Sequence, residues 1–410
     1  MQRVDVVIVG GGVGGSALGG ALAQRGLEVL ILERTTEFED RVRGEWMAPW
    51  GVAEAMSLGC YEALVASGGH HLKRHIAYDE LAAPEDAAAR TIPIDALHPG
   101  SPGPLCLEHV RMQNTLIALA AESGANVLRG VHDVTIQAGT SPRVSIRSAS
   151  EVSDVACRMI VGADGRTSSV RRQLGIPLEE DPVDHLIAGL LIDQCEGWPE
   201  DLQAAGKAGD IAYLVFPQGR GQIRLYADFD LADRGRFAGA DGAQKLLAAF
   251  DMPCVPHSEA IAKARPIGPC RTYPSQDAWT DRVTTEGVVL IGDAAGYNDP
   301  IIGQGLSITM RDARFVADLL TSRDPWREGL FAPYADERRE RMRRLRTVAA
   351  YTTRLYARFD ESGLAGRRRA FDRIAKEPAK ALLALAAFFG PENVPADYFR
   401  PGFLDELFGD

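Results

Sequence analysis

The segment VDVVIVGGGVGGSALGGALAQRGLEVLILE, residues 4–33, decides the fold of this 410-residue chain. It opens with a short run rich in β-branched residues, Val4–Val9, and continues through the glycine-rich turn Gly10–Gly15 into a helical pattern that reaches Gln24. A second apolar run, Val29–Leu32, follows. Strand, glycine-rich turn, helix and strand in this order predict two parallel strands joined by a right-handed crossover.

The turn contains the spacing Gly-x-Gly-x-x-Gly at Gly10, Gly12 and Gly15. In such a turn the first glycine permits the tight bend, the second lets the backbone approach a diphosphate, and the third lets the helix pack closely on the strand. Amide groups at the helix N-terminus then face the anion. Glu33 ends the second strand, where an acid accepts hydrogen bonds from ribose hydroxyls and disfavours the 2′-phosphate of NADP. The segment therefore predicts a dinucleotide site and leaves NAD and FAD open.

Two later motifs distinguish between NAD and FAD. The segment Val161–Arg171 reads VGADGRTSSVR, and the segment Leu290–Gly296 reads LIGDAAG. The second motif places Asp293 at the carboxyl end of a predicted strand, where ligands of α/β folds bind and a carboxylate can accept hydrogen bonds from hydroxyl groups. Together with the first glycine motif, and in this order, they resemble the aromatic-ring flavoprotein monooxygenases of the para-hydroxybenzoate hydroxylase type. The resemblance spans Val7–Leu306 and implies FAD as the cofactor.

The fold implied by this resemblance is α/β: a Rossmann-type FAD-binding domain, an inserted antiparallel-sheet substrate domain and a helical C-terminal portion. Residues His185–Ile192 and Asp210–Phe229 are predicted to be strands, and the turn signal Pro217–Gly221 makes the second a hairpin. From Tyr334 onward the chain is rich in arginine and helical in pattern. The predicted boundaries are 1–75, 105–175 and 281–345 for the FAD-binding domain, 76–104 and 176–280 for the substrate domain, and 346–410 for the helical portion.

The predicted cofactor contacts come partly from the motifs and partly from the resemblance. In the family, a segment at the position of Arg41–Glu45 contacts FAD, and Arg43 is the preferred contact here. At the position of His109–Gln113 the family supplies a polar or basic side chain; the position favours His109 and the chemistry favours Arg111, so both stay open. The predicted FAD-contacting residues are Gly10, Gly12, Val13, Gly14, Gly15, Glu33, Arg34, Arg41, Arg43, His109, Arg111, Val131, Asp164, Gly292, Asp293, Pro300, Gly303, Gly305 and Leu306.

The loop Asp299–Ser307 resembles the family's loop beside the flavin ring. Its glycines let the backbone lie against the ring, and the helix that follows offers amides to the negative charge that develops on the reduced flavin. The resemblance also implies that the Pro300 carbonyl lies close to the substrate, so Pro300 and Arg43 are predicted to position flavin and substrate. Gly296 and Ser307 stand where the family often has His and Asn, which leaves the subfamily open.

The second strand of the predicted hairpin carries a polar face. There Gln222, Arg224, Tyr226 and Asp228 alternate with apolar residues. Two interpretations of this face are possible. Either it is exposed to solvent, or Arg224 and Tyr226, together with Tyr213 from the facing strand, orient a phenolic or acidic substrate.

The activity that the resemblance implies is hydroxylation of an aromatic or other electron-rich small molecule through a flavin C4a-hydroperoxide, with consumption of O2 and of NADPH or NADH. No second Gly-x-Gly-x-x-Gly motif follows a later predicted strand. The nicotinamide is therefore expected to bind transiently in a groove, unless a partner flavin reductase delivers reduced flavin. The sequence does not distinguish these two routes.

Other functions stay open. A flavin-dependent halogenase shares this cofactor fold, but the five tryptophans never form the Trp-x-Trp-x-Ile-Pro motif of halogenases, and the surroundings of Lys73 do not match those of a halogenating lysine. An FAD-dependent double-bond reductase is a second alternative. The chain could also be an FAD-loaded interaction protein, and steady NADPH oxidation with oxygen uptake would exclude that.

Composition excludes several classes of partner. The formal net charge of −11 argues against nucleic acid, because phosphate binding needs Lys and Arg. The six cysteines lie far apart, without a Cys-x-x-Cys pair or nearby histidines at metal-ligand spacing, so reduced thiols, a cytoplasmic location and no metal site are predicted. Apolar runs such as Ala381–Phe389 are too short to cross a membrane, and the first residues lack the pattern of a secretory signal.

Overall fold

A parallel sheet forms the first layer of the fold. The computed structural model describes residues 2–42, 44–147, 152–322, 326 and 329–409. The two central strands that flank the glycine-rich turn are buried along their whole length, which is typical of parallel strands covered on both faces. In spatial order the strands are Thr284–Thr285, Val288–Leu290, Met159–Gly162, Val6–Val9, Val29–Glu33 and Asn126–Arg129, and all but the first are parallel.

The helix Val13–Gln24 packs beside this sheet and contacts two further helices, His109–Glu122 and Gly305–Ser322. Three smaller sheets surround it. One consists of Gln2–Arg3, Val152–Ala156, Arg143–Arg147 and Asp133–Gln137; another of Trp46–Met47, Leu105–Cys106 and His70–His71; and the third of Glu179–Glu180, Ala278–Trp279 and Gly296–Tyr297.

A large, mostly antiparallel sheet forms the second layer. The predicted hairpin lies in its centre, with its turn at Arg220–Gly221. In spatial order the strands are Arg265–Pro266, His185–Asp193, Gln222–Asp230, Ile211–Gly219, Leu202–Ala208, Arg74–Asp79 and Ile92–Pro93, and Arg271–Ser275 also pairs with His185–Asp193.

The two faces of the large sheet have different surroundings. Residues directly opposite in a strand pair share a face, so Leu214 shares one with Tyr226, and Phe216 shares it with Arg224. We call the face that carries these four residues the inner face. Tyr213 pairs with Ala227 on the other face and packs there in a separate apolar cluster with residues of the helix Gly242–Ala249.

The C-terminal portion is helical, as predicted. Its helices share an apolar cluster with Trp46 and Phe216, and Arg367 joins them to the large sheet through ion pairs with Asp79 and Glu80. Its elements are Ala332–Thr352, the π-helical turn Thr353–Ala357, Glu361–Lys376, Leu382–Phe389, Phe403–Phe408 and the 3-10 turns Pro378–Ala381, Pro391–Asn393 and Ala396–Phe399.

The predicted fold class is confirmed by the parallel sheet, the large antiparallel sheet and this helical portion. None of the helices that the structure describes is long and apolar enough to span a membrane. The remaining helices and 3-10 turns are Pro49–Ser57, Tyr61–Ala66, Pro84–Ala88, Ser169–Gln173, Leu231–Asp233, Gly242–Ala249, Ser258–Ala262, Gly292–Ala295 and Pro300–Ile302.

Candidate active site

A cavity of about 1260 Å³ extends from the glycine-rich turn to the inner face of the large sheet. Gly12 and Glu33, which belong to the parallel-sheet layer, line the part that we call the predicted cofactor end, and Asp293 lines the same cavity. Phe216 and Tyr226, which belong to the large sheet, line the part that we call the aromatic end. The carboxyl ends of the parallel strands therefore open onto the same cavity as the aromatic side chains of the second layer, as expected for ligand sites of α/β folds.

The glycine-rich turn is shaped by close contacts on one side and open space on the other. Gly10 has φ of +107°, and a Cβ there would overlap the backbone of Ala163. A Cβ on Gly15 would overlap the Gly10 carbonyl, so this glycine allows the helix to approach the strand. A Cβ on Gly12 would instead have only Gln113 within 4 Å, at 3.9 Å. Gly10, Gly12, Val13 and Gly14 line the cavity, whereas Gly15 supports the turn from behind.

Glu33 lies at the end of the second central strand, as predicted. Its carboxylate accepts hydrogen bonds from the Gly11 amide at 2.8 Å and from the amide and hydroxyl of Thr35 at 2.8 Å each. Only 8% of Glu33 is exposed, so these bonds fix the carboxylate at the cavity wall. Arg34 and Val131 line the cavity beside it.

The carboxylate of Asp164 holds the local backbone in place. It accepts hydrogen bonds from the amides of Ser169 and Val170, at 2.6 and 3.2 Å, and from the Ser168 hydroxyl, which caps the helix that starts at Ser169. Asp164 lines the cavity, but its described hydrogen bonds lead into that helix.

Asp293 stands in the 3-10 turn that follows the strand Val288–Leu290 and faces the cavity together with Gly292. Its carboxylate is paired with Arg166 at 3.3 Å, and both side chains remain about one-third exposed. The turn is fixed from behind by Asp312, which accepts from the Gly292 amide at 2.8 Å, and by Arg338, which donates to the Gly292 carbonyl at 3.2 Å. This buried pair could not be predicted from the sequence, because neither Asp312 nor Arg338 is close to the turn along the chain.

The loop beside the predicted flavin ring lines the cavity at Pro300, Gly303, Gly305 and Leu306. Gly303 has φ of +65°, a left-handed conformation that favours glycine, and a Cβ there would lie 3.2 Å from the Trp46 ring. The helix Gly305–Ser322 starts at this loop, so its first amides are available at the cavity wall.

Of the predicted basic contacts, Arg41 and His109 line the cavity. Nδ1 of His109 lies 3.0 Å from the Gly44 carbonyl. The alternative contact Arg111 is not supported, because it does not line the cavity. Its guanidinium donates to the Ser67 carbonyl at 3.1 Å and pairs with Glu108. The helix geometry explains the choice, since residues two positions apart lie on different faces of a helix. Arg43 lies outside the residues that the structure describes.

The inner face of the large sheet is buried at Phe216 and Arg224 and half-buried at Leu214 and Tyr226, so its interpretation as a solvent-exposed face is wrong. Tyr226 lines the cavity, as predicted. Arg224 is fully buried and binds Glu45 and Asp40, so its guanidinium is already occupied. Tyr213 does not line the cavity, because it pairs with Ala227 and points to the opposite face.

Aromatic residues that the sequence analysis did not single out complete this end of the cavity. Trp46 and Phe216 stack with ring centroids 5.7 Å apart. The indole of Trp46 donates to Gln203 at 2.8 Å, and that of Trp50 donates to Gln304 at 2.9 Å. In the sequence, the one feature that could have indicated the two tryptophans is their short spacing directly after the Arg41–Glu45 segment.

A buried cluster of charges lies behind the Pro300 loop. His185 Nε2 stands 3.3 Å from Asp228 and 3.7 Å from Asp299, and all three side chains are at most 8% exposed. Asp277 accepts a hydrogen bond from the Asp299 amide at 2.9 Å. Burial lowers the pKa of His185, but the hydrogen bond and charge of Asp228 and the charge of Asp299 outweigh it, so the pKa is raised overall. Burial raises the pKa of Asp277 to about 6 and that of Asp299 to about 7.

This cluster predicts a pH-dependent stability. Because these pKa values are higher in the folded protein than in the unfolded chain, the folded state binds more protons, and the cluster's contribution to the free energy of unfolding falls as pH rises. The loss is expected between about pH 4 and somewhat above pH 7. Urea unfolding across this range measures it, and Asp277→Asn should flatten the slope. An unchanged slope in that variant would contradict the assignment.

A family model with the description FAD binding domain matches residues 3–349. The chain belongs to this FAD-binding family. Membership resolves the choice between NAD and FAD that the glycine motif left open. The described residues fit FAD: the open space over Gly12 admits a diphosphate, while Glu33 and Asp293 offer acceptors to the hydroxyls on either side of it.

Curated relatives of this FAD-binding chain include oxidative and reductive enzymes. Squalene epoxidase 3 of Arabidopsis thaliana is 28% identical over 332 residues, which cover 77% of this chain and 60% of that protein. Digeranylgeranylglycerophospholipid reductase 2 of Methanothermobacter thermautotrophicus is 27% identical over 337 residues, with 78% of each chain covered. The chain spans 60% and 54% of the first two squalene epoxidases that it matches.

Solved structures share the fold. The p-nitrophenol 4-monooxygenase PnpA of Pseudomonas putida has a TM-score of 0.77 at 17% identity, with 92% of this chain and 95% of that chain covered. The flavin-dependent halogenase CmlS has a TM-score of 0.75 at 21% identity, with 92% and 70% covered. By family this chain binds FAD, and it shares the fold of the flavoprotein monooxygenase PnpA, so the predicted resemblance is confirmed at the level of cofactor and fold.

Removal of the Asp293 carboxylate is expected to weaken FAD binding. In Asp293→Ala an acceptor for hydroxyl groups is lost, and one hydrogen bond to a charged group contributes about 1.5 to 3 kcal/mol. We expect the Kd for FAD to rise by about 10- to 150-fold, measured by titration of apoprotein with FAD. The matched control is Asp318→Ala, whose carboxylate pairs with Arg25 and Arg314 away from the cavity. Equal affinity in the two variants would contradict this assignment.

Proposed function

We propose that this FAD-binding chain is a monooxygenase that inserts one oxygen atom of O2 into an aromatic or other electron-rich small molecule. The observation that carries the proposal is the continuity of the cavity. Its predicted cofactor end, at Gly12 and Glu33, opens directly onto an aromatic end at Trp46, Phe216 and Tyr226. Bound FAD supplies the redox chemistry with oxygen, and the protein supplies position and exclusion of water.

The protein's own contribution is the shape of the aromatic end. Trp46 and Phe216 offer apolar ring surface, and Leu214 and Tyr226 line the same region from the inner face of the large sheet. Pro300 and the start of the following helix line the same cavity. A planar apolar ligand is therefore expected to bind beside the loop, since pockets lined by aromatic side chains bury such ligands well.

The test is a reaction under ¹⁸O-labelled O2 with excess bromide and candidate phenols. We expect a product that carries one labelled oxygen and no bromine. A brominated product would support a halogenase instead. Lys73 supports our ranking, because it is exposed and does not line the cavity.

A double-bond reductase is the second candidate, and the 27% identity to digeranylgeranylglycerophospholipid reductase 2 favours it. This reaction consumes reducing equivalents without oxygen. Anaerobic conversion of an isolated double bond, with no labelled oxygen in the product, would replace the monooxygenase proposal by this one.

We propose NADPH or NADH as the electron donor, or a partner flavin reductase that delivers reduced flavin, in a cytoplasmic protein. The six free cysteines, at least four of them buried, suit a reducing compartment. Anaerobic reduction of the yellow protein by NADPH, NADH and free reduced flavin in turn, with and without a phenol, distinguishes the donors. Reduction that a phenol accelerates would support direct use of nicotinamide.

A further inference from the structure

We propose that Glu45 determines substrate charge: by occupying the guanidinium of Arg224, it makes the aromatic end of the cavity bind neutral rings and reject ring carboxylates. This inference rests on the proposed function and names the substrate class of the same site. It concerns specificity alone, because neither side chain is assigned a step of the reaction.

The first support is the position of the pair. Arg224 lies on the inner face, directly opposite Phe216 and two residues from Tyr226 on the same strand. Both of these aromatic residues line the cavity, and so does Glu45. Arg224 is therefore a fully buried cation directly behind the residues that line the aromatic end. A ring carboxylate in this region would need such a cation as its partner.

The second support is the occupancy of the guanidinium. Nε of Arg224 donates to Glu45, and Nη2 donates to the other oxygen of the same carboxylate at 2.6 Å, which makes a bidentate pair. Asp40 lies 3.3 Å from the same Nη2. Two carboxylates thus surround one guanidinium, and the pair offers no net positive charge to a ligand.

The third support is energetic. A ring carboxylate that entered this end would leave water and meet a cation that is already paired, so its desolvation would not be offset. A neutral carbonyl or hydroxyl carries a much smaller desolvation cost. Nη1 of Arg224 has no hydrogen-bond partner among the described residues, but the atom is buried and Arg224 does not line the cavity, so it offers no site to an anion there. Arg41 also lines the cavity, but it is exposed, and water weakens its attraction for an anion.

The experiment measures ligand binding to the FAD-loaded protein by the change in flavin absorbance. The probes are 4-hydroxybenzamide and 4-hydroxybenzoate, which have nearly the same shape and differ in charge. For the wild type we expect a Kd for the amide at least about tenfold lower than that for the acid. In Glu45→Gln the acid is expected to gain at least about tenfold in affinity, and the amide to change by less than about threefold.

Two further variants keep the inference testable if Glu45→Gln fails to fold. Asp40→Asn removes the second carboxylate, which is 32% exposed, and should give a smaller gain in acid binding. The double variant Glu45→Gln, Arg224→Gln removes both buried charges and should bind the acid no better than the wild type does. Acid affinity that stays unchanged in Glu45→Gln and in Asp40→Asn, while the amide still binds, would overturn the inference.

The outcomes separate this inference from the proposed function. If the wild type binds the amide and the acid equally well, the charge selection is wrong, but the monooxygenase proposal stands. If no product contains labelled oxygen and neither probe changes the flavin absorbance, the proposed function is wrong, and so is the inference. If the probes behave as expected but no labelled oxygen is incorporated, the charge selection stands and the reaction type is wrong.

Discussion

Gly12→Val is expected to yield a folded, colourless protein. In the structure a side chain at Gly12 has space only on the cavity side, where Gln113 is the one neighbour within 4 Å. A branched side chain would fill the space in which backbone must approach the diphosphate. We expect the affinity for FAD to fall by about 100-fold or more, equivalent to about 3 kcal/mol.

The measurement is flavin absorbance after purification, followed by titration of the apoprotein with FAD. The matched control is Gly235→Val, where a side chain meets nothing within 4 Å and which lies outside this cavity. Gly15→Ala is a second comparison, because its Cβ would overlap the Gly10 carbonyl. This variant is therefore expected to fold poorly. A Gly12→Val protein that keeps its yellow colour would place the diphosphate elsewhere.

His185→Ala is expected to destabilise the fold strongly. The substitution removes the cation from between Asp228 and Asp299, both of which are buried. Removal of one partner of a buried ion pair typically costs about 3 to 5 kcal/mol, because an uncompensated charge stays buried. The free energy of unfolding should fall by this amount when measured with urea at about pH 6, where the raised pKa keeps His185 charged.

A double-mutant cycle is the control for this prediction. In His185→Ala combined with Asp228→Ala, the carboxylate that lost its partner is also gone, so part of the lost stability should return. A change of less than about 1 kcal/mol in the single variant would show that the cluster is not ionised as we infer. Losses that simply add in the double variant would show that the two residues do not interact.

The parts of the site that could be predicted are those whose chemistry acts through the local backbone. A diphosphate needs glycine at fixed positions in a strand-to-helix turn, so the spacing of Gly10, Gly12 and Gly15 predicts such a turn. The turn at Gly292 and Asp293 follows a recognisable strand in the same way. These positions could be predicted because the residues next to each of them in the sequence determine its backbone conformation.

The parts that could not be predicted depend on partners far along the chain. The strand Leu202–Ala208 has the sequence LQAAGKA, whose composition does not favour a strand. Its pairing with a neighbouring strand on each side stabilises it. Tyr213 was placed on the wrong face because strand register decides which residues share a face, and a shift of one residue reverses the answer. In one of the two interpretations Arg224 contacted a substrate, because nothing near it in the sequence indicates its pairing with Glu45, 179 residues away.

Phe388 contacts Trp46 edge to face, with ring centroids 5.9 Å apart, and it lies beyond residue 349, where the match to the FAD-binding family ends. The aromatic end of the cavity is thus backed by a segment that is separate in sequence from the motifs at the cofactor end. Tails exchanged between relatives should therefore change substrate preference, because they replace the side chains that support this end of the cavity.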